Sequence, residues 1–344
     1  MGDKKLLIII SSILLIFFLL PPVFFYMFGV TMNFLGSLED PREDYTGLEG
    51  KVDLSPDDRH IVFSYYDKGI ASIYIAKSDG TEVKKVTSPQ DESHLSPRFS
   101  PDGRKIVYLT EEKGTRKRDS HLYIMDMNGS NSKPLTTGSE QRMNPVFSPD
   151  GKQIYFFQSN QFDYELSSYV KFDIYRVPSD GSVPAIPITK RERGSVSDLI
   201  MTGDGEKLIY TDFTSGGTQF NVLPIKNPQK EETFHLQDNF GQVVDIVSPV
   251  LAPNDKDIIY ASVSNRNEAA TFTYDLFQMN MDHKKEKQLT NLHSNLGYPV
   301  FFHQQDKLLF VEDLNWPQSP SKYQLMQMNS DGTDITKIDL QMVK

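Results

Sequence analysis

Cysteine is absent from the 344 residues, which excludes disulfides, Cys-ligated zinc, a thiol nucleophile and a lipid attached through an N-terminal cysteine. An excess of positive charge is lacking too, because 36 Lys and Arg stand against 46 Asp and Glu, a formal charge of −10. Such a protein repels phosphate, which argues against nucleic acid as a partner. With 38% hydrophobic residues the chain can bury a large core, and that core must hold by packing alone.

Common active-site motifs are missing as well. The sequence has no Gly-x-Ser-x-Gly nucleophile turn, no phosphate-binding Gly-x-x-x-x-Gly-Lys-Ser/Thr loop and no His-Glu-x-x-His helix. Its seven histidines are scattered without the spacing of metal ligands. We therefore expect no catalytic residue, no cofactor and no resident metal.

One long apolar run is present at residues 6–30, where 25 residues carry no charge. At about 1.5 Å per residue, a helix of this length crosses the roughly 30 Å hydrocarbon core of a bilayer. This predicts a transmembrane anchor at residues 6–30 behind a cytoplasmic tail at residues 1–5. Two alternatives stay open: a cleaved signal peptide, and an interfacial stretch that starts after Pro21 and Pro22, which oppose an uninterrupted helix.

Charge on either side of the run predicts its orientation. Lys4 and Lys5 precede it, and residues 39–44 are mostly acidic. Because basic residues stay in the cytoplasm, the remainder of the chain is expected outside it, at the cell membrane as a single-pass protein. We predict that residues 31–50 form a linker and that residues 51–344 form the folded part.

That folded part repeats a turn motif. Ser-Pro-Asp-Gly stands at residues 100–103 and 148–151, each time followed by an apolar triplet, and degenerate copies begin at residues 55, 202, 252 and 302. The period is 45 to 54 residues. A second turn of the Asp-Gly type, as at residues 79–80 and 331–332, follows in step. Pro and Gly at these places suit hairpin turns between strands.

The repeats predict an all-β fold of four-stranded units, a six-bladed β-propeller preceded by one transmembrane helix. The last blade is expected to close on residues 335–340 and to meet the first blade without an exchanged strand. A pair of β-sandwiches is the alternative, but it does not by itself explain six units that share both turns. Asp102, Asp150 and Asp204 are expected to stabilise the turns rather than to bind calcium or donate protons.

The segment at residues 97–106, Pro-Arg-Phe-Ser-Pro-Asp-Gly-Arg-Lys-Ile, together with residues 122–129 and 134–136, resembles the TolB-type, WD-like β-propeller repeat. The resemblance covers about residues 50–340. It implies a six-bladed propeller used for protein contacts in bacterial envelopes, or as the substrate-filtering cap of prolyl-oligopeptidase-like peptidases. The apolar run stands where TolB has an α/β domain, so we do not expect TolB's own partners here. We also expect no room for a hydrolase domain after the sixth blade.

Connectivity predicts where such a propeller binds. If each first strand runs from the channel mouth to the base, both stereotyped turns lie on the base and the variable loops lie on the opposite face, which carries recognition. The linker and the C-terminus are expected to leave from this same face. Candidate binding residues in these loops are His94, Arg142, Asn144, Asp198, Asn295 and Tyr298, directed toward the channel, and the loop aromatics Phe162, Tyr164 and Trp316.

We therefore expect a membrane-anchored, extracytoplasmic propeller of the cell envelope that binds or scaffolds a protein partner. The alternative is an envelope enzyme, a metal-dependent polysaccharide lyase or hydrolase with its site at the channel mouth. The resemblance includes lyases that hold a metal through His side chains there, and His94 could occupy that place. A second His or a carboxylate cluster facing His94 in the channel would favour this alternative.

Overall fold

The structure is a computed structural model that describes residues 44–113, 117–214, 216–238, 241–264, 272–281 and 285–342. The expected cytoplasmic tail, the anchor and most of the expected linker lie outside the described residues. Within the ranges just given, no helix is both long and apolar enough to cross a membrane.

The described residues form six four-stranded antiparallel sheets, each from strands in chain order, with one two-stranded hairpin inserted in the third, which confirms the six-bladed propeller. Blades 1 to 3 consist of β1 (Gly47–Leu54), β2 (His60–Asp67), β3 (Ile70–Lys77), β4 (Lys84–Lys85), β5 (Glu92–Phe99), β6 (Lys105–Glu112), β7 (Ser120–Asp126), β8 (Lys133–Pro134), β9 (Gln141–Phe147), β10 (Gln153–Ser159), a hairpin of β11 (Gln161–Asp163) and β12 (Ser168–Val170), β13 (Asp173–Pro178) and β14 (Ile186–Pro187). Blades 4 to 6 consist of β15 (Val196–Met201), β16 (Lys207–Thr214), β17 (Gly217–Pro224), a 3₁₀ turn (Pro228–Lys230), β18 (Glu232–Phe234), β19 (Val247–Leu251), β20 (Asp257–Val263), β21 (Tyr274–Asn280), β22 (Glu286–Gln288), β23 (Leu296–Phe301), β24 (Lys307–Asp313), β25 (Tyr323–Asn329) and β26 (Thr336–Lys337). β1 begins at Gly47, so residues 47–50 belong to the first blade rather than to a linker.

The Ser-Pro-Asp-Gly turns are held by their own side chains. In blade 2, Ser100 Oγ donates to Asp102 Oδ1 (2.6 Å) and accepts from the N–H of Lys105 (2.9 Å), while Gly103 adopts φ 69°. The Asp150 and Asp204 turns repeat this arrangement. The aspartates therefore shape the hairpins, as the sequence predicts.

Both stereotyped turns lie at one end of every blade, which we call the base. In blade 2 the N–H of Met127 donates to the carbonyl of Arg104 at 2.9 Å and so joins the second turn to the first. The same bond recurs at the equivalent place in the other blades, from residues 78, 179, 225, 281 and 330. The loops between second and third strands and between blades share the opposite end, the top face.

The core lies between neighbouring blades. An aromatic ring stands at the equivalent place in the middle of each second strand and is at most 2% exposed: Phe63, Tyr108, Phe156, Tyr210, Tyr260 and Phe310. These rings pack with the apolar residues of adjacent sheets. The repeated apolar triplet of the sequence is therefore the layer that stacks blade on blade, and it gives the loops a rigid support.

Blade 6 meets blade 1 through non-covalent contacts. On the base, the Asp58 carboxylate accepts hydrogen bonds from the N–H groups of His303 (2.7 Å) and Gln304 (2.8 Å). Farther out, Gly80 packs so closely on the Asp339 carbonyl that a Cβ at Gly80 would lie 2.5 Å from that oxygen. His303 thus occupies the place of the turn proline in blade 6.

The two ends of the described chain lie on different faces. The first residues enter at the top, where the carbonyl of Tyr45 accepts from the N–H of Gly69 (2.9 Å) in the β2–β3 turn. The last residues stay at the base, because Gln341 donates to the carbonyl of Gly80 (3.0 Å). The prediction that the C-terminus leaves from the top face was wrong, since the chain turns toward blade 1 after β26 instead of running on along the blade.

Candidate functional site

Side chains at one equivalent position of the six inner strands, four residues before each base turn, surround the central channel. They are Lys51, Ser96, Asn144, Asp198, Ser248 and Tyr298. A bulge interrupts each strand pair here, and all but Lys51 have φ between 49 and 56°. Because a bulge re-aims side chains, all but Ser96 line the channel, which encloses about 540 Å³.

Several polar side chains meet inside the channel and are partly desolvated there. Lys51 Nζ donates to Asn144 Oδ1 (2.8 Å), two blades away, and lies 5.9 Å from the centre of the Tyr298 ring. Burial lowers the pKa of Lys51, and the charges of Asp198 and Glu49 act in the opposite direction. An ammonium, a carboxylate, an amide and a phenol thus converge on a space that suits a polar ligand.

On the top face of blade 3 a two-stranded hairpin, β11–β12, projects from the ring. Asp163 Oδ1 accepts from two N–H groups of its turn at 2.8 and 3.0 Å, which fixes the tip. Tyr164 and Leu166 at this tip are 64% and 67% exposed. The Phe162 ring packs edge-on against Tyr164 at 5.1 Å and against Tyr169 at 5.3 Å.

Blade 2 holds this hairpin in place. The Tyr169 hydroxyl donates to Asp119, and Lys117 Nζ lies 5.6 and 5.5 Å from the ring centres of Phe162 and Tyr164. Cation–π contacts of this kind stabilise by about 0.5–1 kcal/mol where exposed. The tip is therefore a preformed apolar surface rather than a loop that must order on binding.

The family model of the TolB beta propeller domain matches residues 51–270 of this sequence. The chain belongs to the TolB β-propeller family. A comparison with curated proteins found no match.

Solved structures show the same fold. TolB from Acinetobacter baumannii is 21% identical, with a TM-score of 0.58 over 88% of this chain and 65% of that one. Kuenenia stuttgartiensis hydrazine synthase is 14% identical, with a TM-score of 0.58 over 82% of this chain and 42% of that one. An oligogalacturonate lyase in complex with manganese is 12% identical, with a TM-score of 0.51 over 84% of this chain and 91% of that one. These identities show the fold alone, and the chain spans 65% of the length of the Acinetobacter TolB.

In this TolB-family propeller, three of the predicted channel residues line the channel and three do not. Asn144, Asp198 and Tyr298 face it. His94 instead packs against the Tyr108 ring (4.9 Å) and contacts Glu92 at 3.1 Å, a contact that lowers the pKa of the Glu92 carboxyl. His94 precedes the bulge, and its side chain lies against the neighbouring strand β6 rather than in the channel.

Arg142 is a buried clamp at the junction of blades 2 and 3. Its guanidinium donates to the carbonyls of Ser120 (2.7 Å) and Thr137 (2.8 Å), to Glu140 Oε2 (2.7 Å) and to Gln158 Oε1 (3.0 Å). Arg142 is 3% exposed and its donors are engaged. It therefore holds the top-face loops in position and does not contact a ligand.

Trp316 and Asn295 lie on the top face at blades 5 and 6. The Trp316 indole N–H donates to the carbonyl of Phe272 (2.7 Å), and its ring meets Tyr274 edge-on at 6.0 Å. Trp316 is therefore packed over the neighbouring blade and is not an open contact residue. Asn295 is 4% exposed and, like Trp316, lines a cavity that is separate from the channel.

Sequence reasoning missed Lys51 and Ser248, although the sequence carries a signal for Ser248. In four blades the residue at this position precedes a proline, at residues 97, 145, 249 and 299. Proline fits there because the inner strand has an unpaired edge and bulges. In three of these four blades, all but that of Ser96, the residue before the proline faces the channel.

Proposed function

We propose that this TolB-family propeller is a protein-binding module of the cell envelope, anchored by residues 6–30 and held outside the cytoplasm. The partner is a protein that contacts the top face, in the first place the hairpin tip with Phe162, Tyr164 and Leu166. The exposed apolar tip carries this proposal. A preformed aromatic surface can enter a pocket of the partner with little loss of conformational entropy on binding.

The position of the chain entry supports the same arrangement. The described chain starts at the top face beside Gly69, and residues 31–44 separate it from the apolar run. Those 14 residues span at most about 50 Å, at roughly 3.3–3.6 Å each. The chain therefore enters the propeller on the same face that carries the hairpin tip.

The enzyme alternative gains no support from the site geometry. Its expected metal ligand, His94, faces Tyr108 and Glu92 rather than the channel. In the parts of the chain that are described, no three His, Asp or Glu side chains are grouped to hold a metal ion. We do not propose a reaction for the channel.

Photo-crosslinking in cells tests the proposal. A benzophenone amino acid replaces Tyr164 at the hairpin tip or, as a matched control, Val183 in the base turn, which is 55% exposed. We expect a discrete protein adduct from position 164 that disappears when Leu166→Asp is added, and none from position 183. Equal adducts at both positions, or none at 164, would contradict the proposal.

A further inference from the structure

A second cavity, of about 380 Å³, opens on the top face between blades 5 and 6. It lies where the inter-blade loop before β23 meets the loop after β24. Its lining includes Asn295, Glu312, Asp313 and Trp316, and holds two carboxylates and the imidazole of His293 but no Lys or Arg. It is distinct from the channel and from the hairpin of blade 3.

Two buried oxygen atoms of this lining have no hydrogen-bond donor among the described residues. Asp313 is 2% exposed; its Oδ1 accepts from the N–H groups of Asn315 (3.0 Å) and Lys322 (2.8 Å), and its Oδ2 accepts none. Asn295, 4% exposed, leaves its Oδ1 without a donor as well. The N–H of Asp313 donates to the carbonyl of Asn295 at 2.8 Å, which keeps the two residues side by side.

Buried acceptors without donors are costly, so two of them at one cavity indicate a ligand that brings donors. The nearby Glu312 carboxylate adds negative charge and favours a cationic donor. One wall is apolar: Trp316, fixed by its bond to the Phe272 carbonyl, stands beside Leu314 and Pro317. The cavity thus combines acceptors at one place with a flat hydrophobic wall.

We propose that this cavity binds an alkylammonium group. Its N–H groups donate to Asp313 Oδ2 and Asn295 Oδ1, and its methylene chain lies along the Trp316 wall. A calcium ion requires six to eight oxygen ligands. The described residues group no three carboxylate or imidazole side chains for a metal, so a primary amine fits better. The amine is that of a free aliphatic diamine or of a lysine side chain on a bound protein.

The single tryptophan of the chain makes the test direct, because Trp316 lines the cavity. Full-length protein in detergent is titrated with cadaverine, with Nα-acetyl-lysine amide and with CaCl₂ while its fluorescence is recorded. We expect a saturable change with at least one of the two amines. A response to cadaverine assigns a free diamine, and a response to the lysine derivative alone assigns a protein side chain.

Asp313→Asn separates binding from folding. The amide keeps the Oδ1 acceptor for the loop and replaces Oδ2 by a donor that can pair with Asn295. We expect amine affinity to fall at least tenfold while the melting temperature stays constant or rises. Asp163→Asn is the matched control, since Asp163 Oδ1 also caps a top-face turn, and it should leave amine affinity unchanged.

Three results would overturn the proposal: no response to either amine, a response to calcium alone, or an unchanged affinity in Asp313→Asn. The proposal does not depend on the blade 3 hairpin, so its failure leaves the crosslinking result at position 164 unaffected.

Discussion

Asp58→Gly removes the carboxylate that joins blade 1 to blade 6 without disturbing its turn. Asp58 has φ 60°, a conformation that Gly adopts freely, and Gly stands at the equivalent position in blades 2, 3 and 4. The Asp58 side chain is 4% exposed and accepts from the N–H groups of His303 and Gln304. The substitution therefore removes these two hydrogen bonds of the ring seam together with the 3.2 Å contact between Asp58 Oδ1 and His303 Nδ1.

Each hydrogen bond to a charged group contributes about 1.5–3 kcal/mol, and the lower value applies where water reaches the base. Loss of two such bonds lowers the free energy of unfolding by about 3 kcal/mol. At 2–4 °C per kcal/mol, the melting temperature should fall by about 6–12 °C. Circular dichroism of the full-length protein in detergent measures this shift, and a fall of less than about 2 °C would refute the reasoning.

A second substitution should restore part of the loss. In three of the four base turns that have proline in second place, the next blade supplies a glycine that packs on it, as Gly103 does on Pro56. Where that residue has an N–H, as at His303, the next blade supplies an aspartate. His303→Pro should therefore destabilise the wild type but raise the melting temperature of Asp58→Gly. Simple addition of the two losses would contradict this pairing rule.

Further substitutions test the top face and the turns. Trp316→Phe loses the bond to the Phe272 carbonyl and should lower the melting temperature by about 2–4 °C, from about 1 kcal/mol. Arg142→Met leaves several buried acceptors without donors and should cost about 3–5 kcal/mol in urea unfolding. The pKa values of Asp102 and Asp150 are lowered, first by the serine hydroxyl of each turn. Their stabilisation is present above about pH 4 and is lost as the pH falls through the folded-state pKa, so Asp102→Asn should reduce the stability difference between pH 6 and pH 3.

The propeller could be predicted because its turns are local. Each Ser-Pro-Asp-Gly motif shapes its own hairpin through bonds within five residues, as between Ser100 and Lys105, so the repeat in the sequence marks the blades directly. The positions of the two chain ends, in contrast, depend on contacts between residues that are far apart in the sequence. The C-terminal segment packs along the Gly80 turn of blade 1, a contact that no local sequence pattern predicts.

The site was harder to predict because a single bulge decides where side chains point. Asn144 lies in the bulge and faces the channel, while Arg142, two residues earlier, is buried between blades. Trp316 illustrates a second difficulty, since a lone aromatic in a long loop can be an open contact or a packed wall. Its partner is the Phe272 carbonyl of the neighbouring blade, which the sequence does not place.

Cysteine accessibility in intact cells tests the central claim, that the propeller lies outside the cytoplasm with its top face covered by a partner. The chain has no native cysteine, so Leu166→Cys at the hairpin tip and Val183→Cys at the base each give a single thiol. A membrane-impermeant maleimide should label position 183 in intact cells and position 166 much less, although both label equally in purified protein. Equal labelling of the two positions in cells would contradict the covered face, and labelling of neither before permeabilisation would contradict the location.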